Sequence, residues 1–217
     1  MAFAIEISEV GPAEYPLLET LRESIFSEFG HTSRAPIAQG LANRHDLFVQ
    51  IAHLEGNPLG FSAGYSRGPG LFYLNYVGVL PDYRRQGVGR QLLDRQESFA
   101  RARGYAHLMF NTFNHFPGMI RLALASGFAP AGVEQHFGTC WDLAIRFEKP
   151  LSAQAQPSEA TPDAPVEPHG PEIRISAGDA ESLRRALDTG YLIHGIIHQT
   201  GAPRPLVLLQ RVQSPTA

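Results

Sequence analysis

Two kinds of hydrophobic pattern alternate along the first 150 residues of the chain. In one, apolar residues occupy every second position or form short continuous runs, which is typical of β-strands. In the other, they recur every three or four positions, which is typical of a helix with one buried face. The strand-like segments are residues 3–8, 47–54, 59–66, 71–80, 106–113, 128–137 and 139–148, and the helical segments are residues 12–29, 36–43, 87–103 and 117–126. This alternation predicts a mixed α/β fold.

Turn-forming residues support these boundaries. Gly30 and Gly104 follow the first and third helical segments and can end them, and Pro117 suits the first turn of the fourth. The sequence EGNP at 55–58 favours a hairpin between the second and third strands. The apolar stripe predicted for the first helix consists of Leu17, Leu18, Leu21, Ile25 and Phe29.

A change in composition divides the chain. Residues 151–171 contain five prolines but no aromatic residue, arginine or lysine. Such a segment buries too little apolar surface to order itself, and its prolines favour a semi-stiff spacer. We therefore expect a domain at 1–150, a linker at 151–171 and a small module at 172–217.

The module at 172–217 has the pattern of a strand, a helix capped by Asp179, and two further strands, a β-α-β-β order. Because so few residues make a marginal core, we expect it to dock on the first domain or to pair with a second copy in a homodimer. His194 and His198 lie four positions apart on one predicted strand, about 13 Å along the chain. That is too far for one metal ion with ligands at about 2 Å, so no metal site is expected.

Composition also limits the possible functions. The 217 residues are 43% apolar and 18% charged, with a net charge of −3, which argues against general nucleic-acid affinity. The sequence contains no signal-peptide pattern, no apolar run of about 18 residues, and a single cysteine, Cys140. We expect a cytoplasmic protein without nucleic-acid or membrane partners.

The candidate chemistry lies in VGVLPDYRRQGVGRQLL, residues 77–93, where a strand passes through a turn into a helix. The first backbone N–H groups of a helix have no partner inside it and stand at the positive end of its dipole, so they bind anions such as phosphate. Gly87 and Gly89 lack a Cβ and would let a phosphate approach. Added positive charge comes from Arg84, Arg85 and Arg90. The alternative is a tight turn with surface arginines, because a Gly-x-Gly turn alone is weak evidence.

Residues 84–89, Arg-Arg-Gln-Gly-Val-Gly, resemble the acyl-CoA-binding signature Q/R-x-x-G-x-G/A of the GCN5-related N-acetyltransferases (GNAT). The preceding VLPDYR resembles the V-x-P-x-Y-R lead-in of that family, and the element order over residues 3–148 is similar to its fold. The resemblance ends at the linker. It implies that an acetyl group moves directly from acetyl-CoA to a primary amine of a small molecule or peptide, with the enzyme contributing mainly positioning.

The resemblance also implies where the coenzyme binds. Its pyrophosphate would contact the amides of residues 86–91, and its pantetheine arm would bind the main chain near Val77 and Val79. The acetyl group would lie between the strands at 71–80 and 106–113. The predicted cofactor-binding residues are Val77, Val79, Arg84, Arg85, Gln86, Gly87, Val88, Gly89, Arg90 and Gln91.

Some family positions hold residues that cannot perform the expected chemistry. The second family motif, N-x-x-A-x-x-x-Y-x-x-x-G-F, places Phe116 at its Asn and Ala123 at the Tyr that often protonates the leaving thiolate. The Glu that is frequent on the fourth strand falls at Asn75, and a neutral amide cannot act as a base.

The proton carrier is therefore open, with His115 and Tyr76 as the catalytic candidates. His115 titrates near neutrality, although a surface loop histidine is the alternative, and Tyr76 lies beside the expected cofactor unless it packs in the core. Further candidates, each with a structural alternative such as packing, solvation or helix capping, are Tyr73, Asn111, Asn114, Glu134 and His136. Candidates for the acceptor region, where a solvated helix face is the alternative, are Glu23, Glu28, Phe29 and His31.

Three hypotheses remain. The first is a cytoplasmic acetyltransferase that uses acetyl-CoA as co-substrate. The second is a catalytically silent acyl-CoA-binding sensor, suggested by the missing Tyr and Glu. The third is an interaction protein that retains only the fold.

Overall fold

The structure is a computed structural model that describes residues 5–27, 36–113, 116–135, 143–152, 172–177, 179–189, 191–197 and 206–211. The chain divides into two compact units, Met1–Leu108 with Leu151–Ala153 and Met109–Pro150 with Gln154–Ala217. Because this division falls elsewhere than 151–171, the domain boundaries predicted from composition stay a proposal. No described helix is long and apolar enough to cross a membrane.

The first unit contains four antiparallel strands in the order β1, β2, β3, β4. The hairpin predicted at 55–58 is confirmed, with Leu54 of β2 opposite Asn57 of β3. The elements of this unit are β1 (Ile5–Glu9), α1 (Tyr15–Phe26), α2 (Ile37–Leu41), β2 (Phe48–Leu54), β3 (Asn57–Gly68), β4 (Leu71–Val79) and α3 (Val88–Ala102).

The amphipathic helices of the first unit cover its two sheet faces. Leu18, Leu21 and Ile25 of α1 are buried in one cluster with α2 and with residues of β2, β3 and β4. Val88 of α3 is buried in the other, together with Leu92, Ala52 and Leu59. These clusters follow from the helical periods seen in the sequence.

One residue of the predicted α1 stripe was assigned wrongly. Leu17 is 38% exposed, because a helix turns by about 100° per residue and the buried stripe runs through Leu18, Leu21 and Ile25. Phe29, also assigned to the stripe, lies outside the described residues.

The second unit holds the remaining elements. β5 (His107–Phe113) begins in the first unit and continues into the second, where β7 lies between β5 and β6. β6 and β7 are antiparallel, with Val133 opposite Ile145. The other elements are α4 (Pro117–Ala125), β6 (Ala129–Gln135), β7 (Leu143–Pro150), β8 (Glu172–Ser176), α5 (Ala180–Asp188), β9 (Tyr191–Ile197) and β10 (Leu206–Arg211). The mixed α/β class predicted from the sequence is confirmed.

The last four elements form a second, three-stranded antiparallel sheet in the order β8, β10, β9, with α5 packed on β9. The Asp179 side chain caps α5 by accepting from the Ser182 amide at 3.0 Å, as predicted. This hydrogen bond is the main cause that lowers the pKa of Asp179. Within the second unit, α5 also contacts α4, and β9 contacts β6.

Candidate functional site

The turn between β4 and α3 is built from its own main-chain hydrogen bonds. After β4 ends, Pro81–Tyr83 form one turn of 3₁₀ helix, with the Tyr83 amide donating to the Leu80 carbonyl at 3.0 Å. The Arg84 amide donates to the Pro81 carbonyl at 3.2 Å. This short helix brings the chain to the start of α3, so the predicted strand–turn–helix context is confirmed.

Arg84 anchors the turn through its side chain. Its Nε donates to the Val79 carbonyl at 3.0 Å, and its Nη2 donates to the Ile25 carbonyl at 3.0 Å. The Ile25 carbonyl belongs to the last turn of α1, where carbonyls lack partners inside the helix and a cation is favourable. The guanidinium thus ties the end of β4 to the end of α1, and this use of Arg84 differs from the simple added charge expected from the sequence.

The backbone of the turn enters the left-handed region twice. Arg85 has φ +61° and Gly87 has φ +85° with ψ −4°. A Cβ added at Gly87 would meet nothing within 4 Å, so the space in front of this residue is open. Gly87 is the N-cap of α3 and offers no side-chain cap.

The first backbone amides of α3 therefore have the geometry of an anion-binding site. The first hydrogen bond of the helix runs from the Gln91 amide to the Gly87 carbonyl at 3.0 Å. The amides of Val88 and Gly89 precede it and have no partner inside the helix. The Val88 side chain is only 2% exposed and fixes this end of α3 in the core. A rigid pair of donors at the positive end of a helix dipole is suited to a phosphate group.

The side chains around these amides are mostly solvated. Arg85, Gln86 and Gln91 are exposed, and the Gln86 Nε2 donates to the Asp82 carbonyl at 3.1 Å. Arg90 forms an exposed ion pair with Asp94, with 2.8 Å between Nε and Oδ1. An exposed pair of this kind contributes little to stability, so Arg90 can exchange Asp94 for another anion at small cost.

β4 carries an irregularity beside the predicted pantetheine path. Its register with β3 shifts between Ala63 and Gly64, so that Tyr76 faces Ala63 while Leu74 faces Gly64. Asn75 is the extra residue of this bulge, which re-aims the side chains that follow it. Val77 and Val79 are half-buried, and the Val79 carbonyl is the one held by Arg84.

A close approach on β4 requires glycine. A Cβ at Gly78 would lie 2.8 Å from Ile25 Cγ2, and a Cβ at Gly60 would lie 2.7 Å from the Gly78 carbonyl oxygen. These contacts pack α1 directly on the strand that leads into the turn.

The structure places Tyr76 in the core cluster. It is 7% exposed and packs against Phe61 with ring centroids 5.7 Å apart. Tyr73 is half-buried, with its ring 5.7 Å from that of Tyr65 and the Arg67 guanidinium 4.8 Å above it. The packing alternative therefore accounts for both tyrosines, and the catalytic role of Tyr76 stays a prediction.

Several other predicted residues cannot be placed. His115, Asn114, His136, Glu28, Phe29 and His31 lie outside the described residues. Glu134 lies in β6 opposite Ala144, and Glu23 is exposed on α1.

The α4 region fits the departures seen in the sequence. Ala123 is fully buried, and its methyl side chain supplies no hydroxyl. Phe116 is the N-cap of α4 and forms no side-chain cap; its ring meets Phe113 edge-on at 5.7 Å.

Sequence reasoning missed a buried amide network beneath α3. Gln50, Ser62 and Gln96 are all fully buried. The Ser62 Oγ accepts from Gln50 Nε2 at 2.8 Å and from Gln96 Nε2 at 3.0 Å. Gln50 Nε2 also donates to the Leu92 carbonyl of α3 at 2.8 Å. The network ties α3 to β2 and β3. Polar residues at core positions of apolar runs were the signal in the sequence that could have revealed it.

Comparison with known proteins identifies the fold and its family. The model of the acetyltransferase (GNAT) family matches residues 15–128, more than half of the 217 residues. The chain belongs to the GNAT family. The family resemblance seen at residues 84–89 is therefore confirmed.

One relative of this GNAT protein is named for the acceptor streptothricin. The chain is 29% identical over 124 residues to streptothricin acetyltransferase of Streptomyces lavendulae, covering 57% of this chain and 62% of that relative. The chain thus spans less than two thirds of the relative's length.

Solved structures share the fold at lower identity. The ribosomal-protein-S18-alanine N-acetyltransferase of Escherichia coli has a TM-score of 0.59 and 22% identity, covering 69% of this chain and 95% of its own. The protein yncA of Salmonella typhimurium, solved with its cofactor acetyl-CoA, has a TM-score of 0.56 and 18% identity, covering 72% and 99%.

Proposed function

We propose that this protein transfers the acetyl group of acetyl-CoA directly to the primary amine of an acceptor while both are bound. The observation that carries the proposal is the start of α3, where the Val88 and Gly89 amides follow an uncapped Gly87 with open space before it. The diphosphate of the coenzyme would accept from these amides. Arg85 and Arg90 would add positive charge, and Arg84 would hold the turn as a positioning residue.

The reaction needs little covalent chemistry from the protein. The neutral amine attacks the thioester carbonyl carbon, a C–N bond forms, and the C–S bond breaks. The departing thiolate takes up a proton, and the nitrogen loses one. Holding both reactants in line supplies most of the acceleration. The proton carriers are His115 and Tyr76 by prediction, since Ala123 and Asn75 cannot fill those roles.

A catalytically silent acyl-CoA sensor is the second candidate. It is favoured by the fully buried Ala123, which leaves the thiolate without the phenol that the family often uses. A sensor would bind acetyl-CoA by the same α3 amides and release no thiol.

Two measurements on the full chain separate these functions. Isothermal titration with acetyl-CoA tests binding, and release of free thiol tests transfer to streptothricin, to a peptide with an N-terminal alanine, and to simple amines. Binding with thiol release supports the enzyme, and binding without release from any amine supports the sensor. Absence of binding contradicts both and leaves an interaction protein.

The proton carriers can be tested once an acceptor is found. Tyr76→Phe and His115→Gln should each lower turnover and move the pH dependence of kcat if the residue carries a proton. Unchanged turnover at every pH would remove that residue from the mechanism.

A further inference from the structure

The polar network beneath α3 lies where apolar packing would be the simpler arrangement. Gln50 of β2 and Gln96 of α3 are fully buried, whereas α3 otherwise packs on the sheet through apolar side chains such as Val88 and Leu92. A buried amide costs free energy unless its hydrogen bonds are complete. The Oε1 atoms of Gln50 and Gln96 have no hydrogen-bond partner within the described structure. The core thus keeps two incompletely bonded amides, which stability alone does not explain.

The two amides connect α3 and β2 in both directions. Gln50 Nε2, on the strand, donates to the Leu92 carbonyl of the helix at 2.8 Å. Gln96 Nε2, on the helix, donates to the Phe48 carbonyl of the strand at 3.2 Å. Because a carbonyl only accepts, each amide turns its nitrogen toward the main chain of the other element. This orientation leaves both amide oxygens without a donor.

These hydrogen bonds restrict movements that apolar packing opposes only weakly. Apolar contacts are non-directional, so a helix held by them alone can shift slightly along the sheet or rotate on it. Leu92 and Gln96 lie four positions apart, about one turn of α3, and both are hydrogen-bonded to β2. Val88 precedes Leu92 by another turn. The amides that we propose for the diphosphate therefore take their position relative to the sheet from these two bonds.

The network also contacts the irregularity between β3 and β4. Gly64 lies at the register shift of these strands, opposite Leu74. A Cβ at Gly64 would lie 2.7 Å from Gln96 Oε1 and 2.5 Å from Phe72 Cε1, so a side chain at this position would displace Gln96. The same buried glutamine thus contacts both α3 and the strand that pairs with the bulge beside the predicted pantetheine path.

We propose that Gln50 and Gln96 are positioning residues for coenzyme binding, whose hydrogen bonds to main-chain carbonyls set α3 on the sheet so that its first amides meet the diphosphate. The inference rests on the proposed function, since both residues act through the diphosphate site. Being fully buried, they act through the helix and do not touch the coenzyme. Ser62 accepts from both amides but does not bond to the main chain of α3, so it has no part in this role.

Two variants separate coenzyme affinity from stability. Gln50→Met is nearly isosteric; it removes the bond to the Leu92 carbonyl and also the unpaired oxygen, so the free energy of unfolding should change little. Ser62→Ala is the matched control from the same network. It keeps both bonds to the main chain but leaves two buried N–H groups without an acceptor, so it should lower the denaturation midpoint.

Coenzyme affinity should follow the opposite order. Isothermal titration with coenzyme A, well below the denaturation midpoints, should show Kd raised about threefold or more for Gln50→Met, because hydrogen bonds weaken steeply when distance and angle leave their optimum. Gln96→Met, which removes the bond to the Phe48 carbonyl, should do the same, so one folded variant of the two suffices. Kd for Ser62→Ala should stay within about twofold of the unmodified value. Affinities that fell in the order of the stability losses, with Ser62→Ala the weakest binder, would overturn the inference.

Amide NMR signals of Val88 and Gly89 in the ligand-free protein tell the failures of the two proposals apart. These signals should shift in Gln50→Met and stay in place in Ser62→Ala, whether or not the chain binds the coenzyme. If the unmodified chain binds no coenzyme A, the proposed function fails. If it does bind, unshifted signals or an unchanged Kd in a folded Gln50→Met protein would refute the positioning role alone.

Discussion

Replacing Gly87 by alanine separates backbone strain from coenzyme binding. Gly87 has φ +85°, and its added Cβ would stand in open space, so the substitution meets no clash within the protein. The cost comes from the left-handed conformation alone, about 1–2 kcal/mol. For a chain of this length that lowers Tm by roughly 2–8 °C.

Gly104 provides a matched control just beyond the other end of α3. It has φ +76°, and a Cβ there would also meet nothing within 4 Å. Gly104→Ala should therefore destabilise the protein by the same amount, about 1–2 kcal/mol. Chemical denaturation of both variants measures this loss directly.

The two variants should differ in coenzyme affinity. At Gly87 the new methyl group would stand where the diphosphate approaches the Val88 and Gly89 amides, and a loss of about 1.4 kcal/mol corresponds to tenfold weaker binding. Isothermal titration with acetyl-CoA, well below Tm, should show that loss for Gly87→Ala and unchanged affinity for Gly104→Ala. Equal affinities in the two variants would refute the assignment of the turn as the diphosphate site.

Three further predictions concern the same unit. Gly89→Val should leave the fold intact and weaken acetyl-CoA binding about tenfold or more, because a branched side chain would crowd the approach to the amides. Unchanged affinity in isothermal titration with acetyl-CoA would argue against the site. Arg84→Met should lower the free energy of unfolding by about 2–4 kcal/mol, since it removes two hydrogen bonds from a charged donor. The control Arg85→Met changes an exposed side chain and should not lower it. Equal denaturation midpoints for the two variants would contradict the role of Arg84 in anchoring the turn. Burial, followed by the hydrogen bond to Asp46, raises the pKa of Tyr105, so the fold favours the neutral phenol. This contribution to stability is present below pH 10 and is lost as pH rises through the higher folded pKa. Absorbance titration of Tyr105→Phe should lack one tyrosinate transition above pH 10, and an unchanged amplitude there would show the assignment to be wrong.

Much of the fold follows from local patterns. The 3.6-residue period placed α3 because Val88 and Leu92 recur on one face, and the sequence EGNP placed the β2–β3 hairpin. The same reasoning failed at Leu17, where an apolar residue adjoins the stripe but lies off it. Local patterns thus fix elements better than they fix which neighbouring residue is buried.

The sequence located the candidate turn but not its detailed geometry. Glycines before a helix indicated the turn that we propose as the diphosphate site, yet nothing in the sequence indicated that Arg85 takes φ +61°, since arginine rarely does so. The bond from Arg84 to the Ile25 carbonyl joins residues 59 positions apart, and the buried network of Gln50, Ser62 and Gln96 appears only when packing is known. Such contacts depend on tertiary structure, which a local pattern does not contain.

The central claim is that the first amides of α3 hold the diphosphate of the coenzyme. It is tested most directly by amide NMR shifts of Val88 and Gly89 during titration with coenzyme A and, separately, with pantetheine, which lacks the diphosphate. We predict large downfield shifts of both amide protons with coenzyme A and little change with pantetheine. Unshifted amides in a protein saturated with coenzyme A, or equal shifts with both compounds, would contradict the account.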